Sequence, residues 1–157
     1  MRGALRHHPV VDLSWVRLQP WREVLAGLFE GPDFRPFVHH VRGAEVFGRT
    51  GPRHLIGGWL VDRLGLAPAN LRLREHEHVT IRLHSELPPG LGGSSATFEV
   101  VRGDDRRVAA RAAIAGGPTS SALVRLPEAT PAWGLADALS RLDGDPTYER
   151  ALGRALS

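Results

Sequence analysis

Ten residues of this chain are of types that could meet a ligand or a partner, and they fall in two groups. In Trp15-Val-Arg17-Leu-Gln-Pro-Trp21-Arg22, two indoles and two guanidinium groups crowd into one short stretch. Trp and Arg are the commonest anchors of protein interfaces, since each combines large contact area with directional hydrogen bonding. The second group is Arg72, Arg74, His76, His78, Arg82 and His84, all at even positions of one segment. Side chains two apart on a strand project from the same face. Such a row suits an acidic partner surface or a phosphorylated ligand, through charge-assisted hydrogen bonds. Both groups also admit a structural reading. Trp21 falls in an apolar helical stripe, the arginines can pair with Asp12 or Glu23, and the even face can be an ordinary solvated sheet face.

Other patterns promise less. Pro88-Pro-Gly-Leu-Gly-Gly-Ser-Ser-Ala-Thr97 is similar to the phosphate loop of the GHMP small-molecule kinases. A loop of that kind works by presenting backbone N–H groups at a helix N-terminus. Here Phe98-Glu-Val-Val-Arg102 follows and reads as strand, so a flexible connection between strands is expected. A small-molecule phosphotransferase built on residues 88–97 stands as the alternative function, with a weak nucleic-acid-binding module beside it. The arginine row lacks the interleaved aromatics that single-strand stacking needs. His76 and His78 have no acid or third histidine placed beside them, so no metal site is expected. His7-His8 and His39-His40 have no spaced acid or serine nucleophile. No triad or carboxylate dyad emerges, so the expectation is no catalytic residue and no cofactor.

The composition agrees with a binding role. The chain has 157 residues, enough for one domain with a real core. With no cysteine, disulfides, thiolate chemistry and Cys-based zinc sites all fall away. The pI of about 10.8 misleads: all 20 basic residues are arginine, which keeps its charge far above neutrality, so an excess of only +3 drives the value up. No apolar run approaches the roughly 20 residues of a membrane span. The opening residues lack the apolar stretch of a signal peptide, and a cytoplasmic location is expected.

The elements that must position these residues are marked by prolines and by apolar spacing. Proline suits the first helical turn, where its missing N–H would have had no intrahelical partner. Pro20 opens a helix carrying Trp21, Val24, Leu25, Leu28 and Phe29 on one face, stopped by Gly31-Pro32. A short turn capped by Asp12 precedes it. Pro52 opens a second helix, with Leu55, Ile56, Trp59, Leu60 and Leu64, and Gly65 suits its left-handed end. Helices also start at Pro131 and Pro146. Period-two alternation from Leu71 to Leu83 predicts one long strand or two short ones in the same phase. Residues 96–101 and 107–114 form a hairpin, 121–126 a further strand, and 38–47 a weaker one. Consecutive strands bracketed by helices predict an α+β fold, an antiparallel or mixed sheet with helices packed on one side. A single domain spans residues 1–157.

Three stretches carry a family resemblance. Asp12-Leu-Ser-Trp-Val-Arg-Leu-Gln-Pro-Trp-Arg-Glu-Val-Leu-Ala26 resembles the signature that opens the C-terminal domain of OpcA-type glucose-6-phosphate dehydrogenase assembly proteins. Leu55-Ile-Gly-Gly-Trp-Leu-Val-Asp-Arg-Leu-Gly65 is similar to that family's "LLAGWLxxRLG" helix. Leu135-Ala-Asp-Ala-Leu-Ser-Arg-Leu-Asp-Gly-Asp-Pro-Thr-Tyr-Glu-Arg-Ala-Leu152 resembles its closing segment. Gln19 stands where the family often has Thr. The resemblance implies a non-catalytic subunit that binds glucose-6-phosphate dehydrogenase, supporting its assembly or activity in the oxidative pentose phosphate pathway.

Overall fold

The computed structural model describes residues 13–103, 106–126 and 146–156. Its first elements follow from the proline and apolar spacing. Helix α1 spans Leu13–Arg17 and α2 spans Gln19–Leu28, with Pro20 in the first turn of α2. The buried face of α2 is Trp21, Leu25 and Leu28. Pro36 then nucleates a 3-10 turn over Arg35–His40, which buries Phe37. Val38, His39 and His40 therefore do not extend the strand expected over 38–47. Proline's fixed φ favours the tight turn, and strand β1 begins only at Val41, running to Gly48.

Helix α3 spans Thr50–Leu64 and stops at Gly65, whose φ of 61° lies in the left-handed region that glycine enters without steric cost. The alternating segment after it splits in two, β2 at Leu71–Glu75 and β3 at Thr80–Glu86. Strands β4 (Ser95–Arg102), β5 (Arg107–Ile114) and β6 (Thr119–Arg125) follow as antiparallel neighbours. Helix α4 spans Pro146–Ala155. The helix expected from Pro131 lies outside the described residues.

One six-stranded sheet gathers all the strands, in the order β2-β1-β3-β4-β5-β6. β1 pairs parallel with β2 and antiparallel with β3, so the sheet is mixed. The two halves of the alternating segment thus lie on either side of β1, and residues 76–79 carry the chain from one flank of it to the other. Register keeps them in phase: Glu45 is opposite Arg72 on one side and Arg82 on the other.

The described helices cover one face of the sheet. Across it runs a row of Leu73, Val46, Ile81, Val100 and Ala110, each opposite the next. A parallel row holds Leu71, Ala44, Leu83, Phe98 and Ala112. Phe98 anchors the packing. Phe29, at the end of α2, stacks on it at 4.1 Å between ring centroids, and Phe34 and Phe37 approach edge-on at 6.0 and 6.4 Å. Aromatic contacts in these geometries add roughly 0.5–1.5 kcal/mol each beyond simple burial. Alanines at 110 and 112 leave room on β5 for α2 to settle. The fold is a single α+β domain, with a mixed sheet and helices against it, as expected.

Candidate partner-binding surface

The two tryptophans are core residues. Trp15 and Trp21 are only 4% and 5% exposed. The Trp15 ring meets Tyr148 of α4 at 5.7 Å, which ties the start of the described chain to its end. The guanidinium of Arg22 lies 3.6 Å above the Trp15 ring, and its Nη2 donates to the Trp15 carbonyl at 3.5 Å. Arg22 therefore braces the α1–α2 corner. Arg17 points away from that core and is exposed.

The strand residues have a different setting. Arg72, Arg74, Arg82 and His84 project from the sheet face opposite the helices, and all four are exposed. No described helix packs on that face. Sheet pairing sets acids between these bases. Reading across the strands, Arg72, Glu45, Arg82, Glu99 and Arg111 lie each opposite the next, a line of alternating charge. The Arg82 Nε donates to Glu99 at 2.6 Å, and the Arg74 Nε lies 3.6 Å from Glu45. The Arg82 guanidinium also sits over the Phe47 ring at 5.2 Å. His84 pairs with Glu86 along its own strand at 3.0 Å.

His76 and His78 leave the sheet. They occupy the connection between β2 and β3, where the His78 amide donates to the His76 Nδ1 at 3.1 Å. The His76 ring stands edge-on to Phe47 at 6.5 Å. Among the described residues, no three His, Cys, Asp or Glu side chains come together in a way that could hold a metal ion.

The Gly/Ser-rich segment joins β3 to β4 and leads into a strand. Its amides turn inward: Leu91 and Gly93 donate to the Pro88 carbonyl, and Gly92 donates to that of Pro89. The N–H groups that would cradle a phosphate are thus engaged within the turn, and no helix follows to add its dipole.

Sequence reading missed the partners in the charge line. Glu45, Glu99 and Arg111 come from strands distant in sequence, and only pairing places them beside Arg72 and Arg82. It also missed a cavity of about 530 Å³ where Arg17, Arg49, Arg102 and Arg106 converge. Each of the four lies next to a proline, turn or strand end, and nothing in linear spacing links them.

These features define a small α+β domain with an exposed, charged sheet face on the side away from its described helices. The chain belongs to the family of C-terminal domains of the glucose-6-phosphate dehydrogenase subunit, which it matches over residues 8–152. It is also similar to a Nostoc punctiforme (strain ATCC 29133 / PCC 73102) protein described as OxPP cycle protein OpcA. The two are 27% identical over 79 residues, which is 48% of this chain and 17% of that protein. The chain therefore covers a small part of that relative's length. No described helix is long and apolar enough to cross a membrane.

Proposed function

We propose that this domain is a non-catalytic subunit that binds glucose-6-phosphate dehydrogenase and supports its assembly or activity. It docks through the open sheet face that carries Arg72, Arg74, Arg82 and His84. Family membership supplies the partner, and the observation that carries the docking surface is the sheet itself. Six strands present a broad face, and the described helices lie on its other side. Its charges alternate in fixed register, so a partner surface must match both sign and spacing. Complementary charge patterns of this kind set specificity and association rate more than raw affinity. An apolar strip of Val101, Ala109 and Leu123 runs beside the charged line, with Leu123 60% exposed. That strip offers the dry contact area that charges alone lack.

The test is co-purification of the chain with the dehydrogenase of the same cell, with the enzyme's activity and oligomer size measured with and without it. Stable association with a change in either property is the expected result. An enzyme that neither binds the chain nor changes in its presence rules the reading out.

A further inference from the structure

We infer that strand β6 is an interface for a second copy of this chain, the two β6 strands pairing antiparallel into one continuous sheet. The inference does not depend on the docking proposal, which concerns the open face of the sheet and not its edge.

β6 ends the strand order, so among the described residues it has a strand neighbour on one side only. All seven of its residues, Thr119–Arg125, are exposed. Leu123, on the open face, is 60% exposed, and Val124, on the other, 37%. Sheet edges are usually guarded against further pairing by charge, proline, brevity or a bulge. The opposite edge, β2, is guarded in this way: it has five residues, of which Arg72, Arg74 and Glu75 are charged. β6 is longer, has no proline and no acid, and keeps its single charge, Arg125, for its last residue.

Hydrogen bonds at the two ends of the β5–β6 hairpin fix which way the edge groups point. The Leu126 N–H donates to the Arg106 carbonyl at 2.7 Å, and the Ile114 N–H donates to the Pro118 carbonyl at 3.0 Å. Bonded and unbonded pairs alternate along an antiparallel ladder. In the observed register, Ser120, Ala122 and Val124 therefore turn their N–H and C=O groups toward β5. Thr119, Ser121, Leu123 and Arg125 turn theirs outward, where no described strand meets them.

This pattern is self-complementary. A two-fold axis through Ala122, perpendicular to the sheet, sets Ser121 opposite Leu123 of the second copy and Thr119 opposite its Arg125. Both pairs join outward-facing residues, so each can exchange two hydrogen bonds, whereas a slip by one residue would set outward groups against inward ones. The two Arg125 side chains end at opposite sides of the axis, roughly 20 Å apart. Small residues, Ser120, Ser121 and Ala122, lie at the axis itself. On the open face the two Leu123 side chains become diagonal neighbours and cover apolar surface that each copy alone leaves in water. Any other strand would have to supply this match of length, charge and register, and a second copy already carries it. The same axis leaves both charged sheet faces pointing the same way.

The experiment is sedimentation equilibrium of the purified chain over a wide concentration range. Reversible dimerisation is expected. Ser121→Pro removes one outward N–H per copy and no bond to β5, so a variant of unchanged melting temperature should dimerise at least about tenfold more weakly. Leu123→Lys should also weaken the dimer, by setting like charges side by side across the axis. Adding Ser121→Glu to Leu123→Lys places an acid opposite each lysine of the second copy and should restore most of the affinity, a gain that a misfolded protein cannot mimic. Arg72→Ala/Arg74→Ala, on the open face and far from β6, should leave the equilibrium unchanged. The inference is overturned if the chain stays monomeric up to about 1 mM, even where β6 recruits a strand from another protein. It is also overturned if folded Ser121→Pro dimerises like the parent, if the Glu/Lys pair restores nothing, or if the Arg72/Arg74 variant loses the dimer.

Discussion

Gly58 of α3 lies directly against the backbone carbonyl of Ala151 in α4, too close for any β-carbon. Its neighbour Gly57 faces the sheet, where an added β-carbon would come within 2.9 Å of a Leu73 methyl and 3.0 Å of a Leu71 methyl. The Gly-Gly pair thus lets α3 sit pressed between β2 and α4. Gly58→Ala is expected to destabilise the domain by roughly 1–3 kcal/mol, because backbone cannot yield as side-chain tips can. In a melt, that is about 2–4 °C for each kcal/mol. Gly57→Ala should cost less, because the Leu71 and Leu73 methyls can rotate away. Equal melting temperatures for the two variants would contradict this ranking.

Ser85 is fully buried on β3, and its hydroxyl oxygen has no hydrogen-bond partner among the described residues. A buried polar atom left unpaired costs roughly 1–3 kcal/mol. Ser85→Ala keeps the packing nearly intact and removes that cost. The variant should be at least as stable as the parent in chemical denaturation, with an unchanged slope. A clear loss of stability would show that the hydroxyl has a partner after all.

Phe98 is 1% exposed and meets three other aromatic rings. Phe98→Ala should therefore cost about 3–5 kcal/mol, within the range for deleting a buried ring. Phe98→Leu fills most of the space and should cost clearly less. Denaturant titration of both variants checks the order.

The Arg82–Glu99 pair is short at 2.6 Å, but its side chains are 53% and 38% exposed. Solvent screens such a pair, so a double-mutant cycle should give a coupling of only about 0.2–1 kcal/mol, falling as salt rises. The charge line is therefore a minor contributor to folding. Reversing two bases of the same sheet face with Arg72→Glu/Arg74→Glu should leave the melting temperature within a few degrees while weakening capture of the dehydrogenase. Undiminished capture by this folded variant would place the docking surface elsewhere.

Much of the fold was legible in sequence because its signals are local. Pro20 and Pro52 mark the first turns of α2 and α3, and Gly65 ends α3. The alternation from Leu71 to Leu83 placed Arg72, Arg74, Arg82 and His84 on one face before any pairing was known. It could not show that β1 inserts between the two halves of that segment, nor that His76 and His78 leave the sheet at the crossing. Strand edges offer the same N–H and C=O groups along their whole length, so neighbours are chosen by packing over the entire sheet.

The tryptophans mark the same boundary. Their types and spacing fit an interface and a core equally well, and tertiary packing, with Tyr148 of α4 against Trp15 and Trp21 on the buried face of α2, decides for the core. By itself, the order of residues determined which stretches turn into helices or strands, and which faces are apolar. Those choices depend on steric and solvation preferences within a few neighbours. The tertiary structure alone decided that acids from β1 and β4 stand between the arginines of β2, β3 and β5, and that Arg17, Arg49, Arg102 and Arg106 share one cavity. Charges far apart along the chain become neighbours only when burial of the apolar rows brings their elements together.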